Sequence, residues 1–124
     1  MESAALARNG YSQASRQIKS ARSIEYDVFA RITARLRRAI EAEDEVFELV
    51  AALHENRELW TLLAVDLVDP GNALPQQLKA QLFYLAEFTF QHTTKVLSRQ
   101  AEAGVLVDIN TSIMIGLRGR GAEI

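Results

Sequence analysis

The chain has no cysteine. That excludes disulfides, thiolate nucleophiles and cysteine-based zinc sites together, and it fits a reducing compartment such as the cytoplasm. Proline is nearly absent. The two present, Pro70 and Pro75, fall in one short stretch, so elsewhere nothing forces a break in a helix. No run of alternating β-branched residues is long enough to form a strand. Charge interrupts every apolar stretch within a few residues, so no membrane-spanning helix is expected. The first residues carry an acid and lack the basic and apolar regions of a secretory signal. Tryptophan occurs once, at Trp60.

What is present is helical. At 124 residues the chain fits one domain and is long enough to bury a real core. Ile24, Val28, Ile32, Leu36 and Ile40 recur every four positions, which predicts a helix capped near Ser23 and ending near Glu43. Leu49, Leu53, Asn56, Trp60, Leu63 and Leu67 follow a 4-3-4-3-4 spacing and predict a long helix from Glu43 or Asp44 to Val68, with a bend near His54–Asn56. Pro70 and Gly71 end it. Pro75 opens the next helix, whose stripe is Leu78, Leu82, Leu85, Thr89, His92 and Val96, widened by Phe83, Phe88, Phe90 and Leu97. Gly104 breaks that helix, and a short last one holds Leu106, Ile109, Asn110, Ile113, Met114 and Leu117. The fold class is therefore all-α, a small helical bundle of about four to five helices forming one domain over residues 1–124. Residues 3–15 read as an Ala-rich helix and 16–22 as a polar connector, making 1–22 a loosely attached, mobile segment able to act as a lid. The glycine-rich tail after Gly116, and 118–124 above all, is expected to fray.

Tests for chemistry fail on spacing. His54-Glu55 begins a zinc-helix motif, but Glu58 stands where the second histidine belongs, and His92 lacks the carboxylate a di-iron bundle requires. No glycine elbow surrounds a serine. The acidic cluster Glu41, Glu43, Asp44, Glu45 and Glu48 sits at a helix junction, where carboxylates favour the following helix's N-terminus. No enzyme activity, cofactor, metal or small-molecule substrate is expected. Charge is uneven: residues 1–40 carry 8 Lys/Arg against 3 Asp/Glu, and residues 41–124 carry 6 against 13. Arg31, Arg35 and Arg38 form a basic face that a phosphate backbone would suit, although no aromatic residue is interleaved for base stacking. Asn56 and Asn110 lie on apolar stripes. Each either finds an internal hydrogen-bond partner or bonds the backbone of a docked helix, and Trp60 is either a core anchor or the wall of a groove.

Asn56-Arg57-Glu58-Leu59-Trp60-Thr61-Leu62, then Asp66 to Pro70, Asn72-Ala73-Leu74-Pro75, Leu82-Phe83-Tyr84-Leu85-Ala86-Glu87-Phe88 with His92, and Ile109 to Leu117 make an ordered set of segments that resembles the FlaF family of flagellar biosynthesis regulators. Tyr11 and Glu25-Tyr26-Asp27-Val28-Phe29 fit the same pattern. The resemblance implies a small, helical, cytoplasmic, non-enzymatic protein that makes flagellin available for filament assembly. Its partner would be flagellin, bound in the manner of a chaperone for export. The alternative is post-transcriptional control of flagellin mRNA, directly or through FlbT. Combined with helix-in-groove recognition, it nominates Trp60, Leu63, Phe83, Phe90, Ile109, Ile113 and Leu117 as groove lining, with Asn56 and Asn110 fixing register.

Overall fold

A computed structural model describes residues 26–119, and among them every element is helical. Four helices follow one another: α1 (Tyr26–Glu41), α2 (Val46–Val68), α3 (Gln76–Leu97) and α4 (Gly104–Gly119). The expected Ala-rich helix, the connector at 16–22, the Ser23 cap and the end of the tail lie outside the described residues. The helices pack in a ring. α2 lies against α1 and α3, α4 packs mainly on α1, and the α3–α4 seam is the thinnest contact. α2 and α4 therefore face each other across the bundle.

Each element follows from local sequence. α1 is sharply two-sided, with Phe29, Ile32, Thr33, Leu36 and Ala39 buried. α2 is one continuous helix with the expected stripe buried, from Leu53 and Asn56 through Trp60 and Leu63 to Leu67. Asp69 ends it in an extended conformation, as the residue before a proline prefers. Asn72 then organises the turn. Its Nδ2 donates to the Asp66 carbonyl at 2.9 Å, and its Oδ1 accepts the Leu74 amide at 3.0 Å. The side chain is buried, so Asn72→Ala strands the Leu74 amide and leaves the Asp66 carbonyl to the Asp69 amide, 3.2 Å away. The expected cost is about 2 kcal/mol, read by urea denaturation.

The α3 stripe needs correction. Its buried residues are Leu82, Ala86, Thr89 and Thr93, while Leu78, Leu85, His92 and Val96 are half-buried and Phe83 and Leu97 exposed. Small residues on the buried line allow a close approach to α2, and the bulky aromatics are displaced to the flank. Arg99, at φ 61°, closes α3, with the Gln100 amide bonding the Lys95 carbonyl at 2.8 Å. This left-handed closing position is more often glycine. Gly104 begins α4 instead of merely breaking α3. α4 runs on through Gly116 to Gly119, past the point where the glycine content suggested fraying.

Two apolar clusters fill the bundle. One centres on Phe29, Trp60, Leu63, Leu82 and Leu117. The other centres on Leu36, Leu53, Ala103 and Leu106.

Candidate functional site

Between the two clusters lies a polar layer to which α1, α2 and α4 contribute Thr33, Asn56 and Asn110. All three are buried, as is Trp60 beside them. The Trp60 Nε1–H donates to Asn110 Oδ1 at 2.9 Å. The Asn110 Nδ2 donates to Asn56 Oδ1 at 2.7 Å and to Thr33 Oγ1 at 3.1 Å. Orientation follows from chemistry. An indole only donates, so Asn110 must turn its oxygen to Trp60; its amide nitrogen then faces Asn56, which must present oxygen in return. Phe29 packs edge-on against the Trp60 ring, with centroids 5.9 Å apart and planes at 89°. On α3, Thr89 and Thr93 are buried too, with Thr93 Oγ1 donating to the Thr89 carbonyl at 2.6 Å.

This geometry corrects the expected groove. Asn56, Trp60, Leu63, Asn110 and Leu117 are fully enclosed, each at 0% exposure, so none presents a surface to a docked helix. Ile109 and Ile113 are half-buried against the same core. The two asparagines, expected to fix register with a guest, instead bond each other, Trp60 and Thr33 across helices of this chain, which is the internal-partner alternative. Core and groove residues share one apolar periodicity, and burial alone separates them.

Phe83 and Phe90 do lie at a surface cleft, on the outer seam of α2 and α3. One depression of about 580 Å³ is lined by Val68, Pro70, Lys79, Ala80, Phe83 and Tyr84 among others. A second of about 540 Å³ is lined by Arg57, Thr61, Ala64, Val65, Val68, Phe83 and Phe90. They share Val68 and Phe83 and so form one groove. Along α3 it runs from Gln76 to Phe90, which at 1.5 Å per residue is about 20 Å, or four turns of a guest helix. Val65, Val68 and Tyr84 are 59%, 66% and 68% exposed. Asp69, Glu87, Lys79 and Arg57 give it a mixed polar rim. The signal for Val65 and Val68 was present in the sequence. From Leu59 to Val68 only Thr61 and Asp66 interrupt the apolar residues of α2, unlike two-sided α1, and such a stretch needs cover on more than one face.

The other candidates are engaged locally. Arg31 Nη1 sits 3.3 Å from Glu55, and Arg35 Nε donates to Glu48 at 2.9 Å with Nη1 3.4 Å from Glu55. Pairing with Glu48 first, then Glu55, raises the Arg35 pKa above its ordinary value. Of the expected basic face, Arg38 stays exposed without such a partner on α2, whereas Arg31 and Arg35 bind α1 to α2. His54 pairs with Glu58 one turn on, at 2.7 Å. His92 stacks on Phe88 and its Nε2 meets the Glu102 carbonyl at 2.7 Å, which ties the α3–α4 connection. No cluster of potential metal ligands occurs among the described residues, and no described helix is long and apolar enough to cross a membrane.

Compared with known proteins, residues 7–117 match a family model described as flagellar protein FlaF. No curated protein and no solved structure matches.

Proposed function

The chain belongs to the FlaF family of flagellar proteins, and on that premise we propose that it is a non-enzymatic, cytoplasmic factor that binds flagellin in the manner of a chaperone and promotes its synthesis and export. The observation that carries this reading is the open apolar groove between α2 and α3. Flagellin's ends are amphipathic helices that self-associate once exposed, and a groove about four turns long suits one such helix laid on its apolar face. Thr61, Ala64, Val65 and Val68 supply one wall in helical register, and Phe83, Tyr84 and Phe90 the other. Tyr84 and Arg57 at this groove are of the types that most often dominate binding energy.

The rival reading, direct control of flagellin mRNA, asks for a free basic face. Arg31 and Arg35 are held by Glu48 and Glu55, which favours the protein guest. Action through FlbT would use a protein surface too, and is tested in the same assay. Purified full-length protein is titrated in parallel with flagellin, FlbT and flagellin mRNA. Flagellin binding at micromolar concentration or tighter is expected, with little dependence on salt. A complex with RNA alone, weakening steeply as salt rises, would replace this reading with the regulatory one.

A further inference from the structure

Apart from Leu62, the exposed apolar residues of α2 fall into two groups. Val65 and Val68 belong to the groove. Val46, Phe47 and Val50 lie in the first turn and a half, at the opposite end of the helix, beyond the charged surface of His54, Arg57 and Glu58. Phe47 is 91% exposed, the most exposed of the large hydrophobic side chains, and Val46 and Val50 are 55% and 44% exposed. Val46 and Val50 are four residues apart and Phe47 and Val50 three, so they form one patch and are not scattered singly.

Around this patch the chain gathers acid. Glu41, Glu43, Asp44 and Glu45 are exposed, and none forms an ion pair among the described residues. Helix capping explains only part of this. Asp44 and Glu45 stand at the N-terminal end of α2, where the dipole favours them, yet the Glu45 side chain makes no cap hydrogen bond. Glu41 is the last residue of α1, where the dipole opposes a carboxylate. From Arg37 to Glu48 there are two basic and five acidic residues, a balance of −3.

We propose that this corner is a second docking surface, separate from the groove, which takes a basic amphipathic segment of a partner protein. Charge complementarity selects that occupant. An apolar segment carrying lysine or arginine covers Val46, Phe47 and Val50 and relieves the repulsion among Glu41, Glu43, Asp44 and Glu45, whereas an acidic segment adds to it. With the groove at the other end of α2, the protein then holds two partners at once, as an adaptor does.

The test titrates isotope-labelled full-length protein with an 18-residue leucine–lysine helical peptide and follows backbone resonances. A leucine–glutamate peptide of the same spacing is the control. Shifts centred on residues 41–50 are expected for the lysine peptide, with none at these residues for the control. Phe47→Ser should weaken lysine-peptide binding at least tenfold. So should Glu41→Lys with Glu43→Lys, two exposed changes of which the first suits the end of α1. Raising salt should weaken binding in the parent protein. Binding at the corner should survive Val65→Glu with Tyr84→Glu, which separates this surface from the groove. Equal binding of both peptides, shifts confined to the groove, or self-association that Phe47→Ser abolishes would each overturn the proposal, the last by assigning the patch to a second copy of the chain.

Discussion

Asn110→Ala is expected to cost about 3–5 kcal/mol of folding stability. The substitution strands the Trp60 Nε1–H, the Asn56 Oδ1 and one contact of Thr33 in the interior. Each orphaned buried group costs about 1–3 kcal/mol, and the hydroxyl sits at the low end because it can turn. Against a total stability of about 5–15 kcal/mol the loss is large. At roughly 4 °C or more per kcal/mol for a domain of this size, the melting temperature should fall by at least about 12 °C. A double-mutant cycle with Trp60→Phe locates the effect. Once Asn110 is gone, removing the indole donor costs less, so the two losses should fall short of additivity by about 1–2 kcal/mol. Additive losses, or a loss under about 1 kcal/mol for Asn110→Ala, would mean that the polar layer does not hold the helices together.

The layer also sets which arrangement the helices adopt. Apolar side chains slide past one another at small cost, whereas a one-turn slip of α4 against α2 would move Asn110 away from both Trp60 and Asn56. Buried polar contacts of this kind are best attested as register devices. The arrangement carries its own cost, since Asn56 Nδ2 and Thr89 Oγ1 have no hydrogen-bond partner among the described residues.

Val65→Glu with Tyr84→Glu is expected to do the reverse. Both residues are exposed, so folding stability should change by no more than about 0.5 kcal/mol per site. Both line the groove, and a carboxylate placed on an apolar guest face must be desolvated without a partner. A loss of about 2 kcal/mol, the threshold of an interface hot spot, corresponds to roughly 30-fold weaker flagellin binding.

The two substitutions mark what was legible in the sequence. The α2 stripe from Leu53 to Leu67 follows from its spacing, because a buried face must recur with the helical period. So does the break at Asp69–Pro75, because proline and glycine leave few alternatives. The α3 face is legible in part: Leu82 and Thr89 on the expected stripe are buried and Leu78, Leu85 and Phe90 pack against the core, whereas Ala86 and Thr93 escape a reading by hydrophobicity because their small size, which lets two helices approach, is what buries them. Asn56 and Asn110 were recognisable as polar residues on apolar stripes, and so in need of partners. That the partners are each other is a fact of tertiary placement, 54 residues apart in the chain, and no local pattern contains it. The surface groove is legible only as a surplus of apolar residues on α2, not as an open face. Val65 and Val68 extend an apolar sequence that looks the same whether a neighbouring helix covers it or nothing does.

The central claim is a division of labour, in which the Trp60 layer builds the bundle and the outer α2–α3 face receives the guest. Flagellin binding measured by calorimetry on two folded variants, beside their urea denaturation curves, tests it most directly. Trp60→Phe should lose about 2–4 kcal/mol of stability, from the lost hydrogen bond and the cavity left by the smaller ring, and keep its affinity for flagellin within about twofold, since the indole is enclosed. Val65→Glu with Tyr84→Glu should keep its stability and lose roughly 30-fold in affinity. Full-strength binding by the groove variant, together with lost binding by a still-folded Trp60→Phe, would contradict the account.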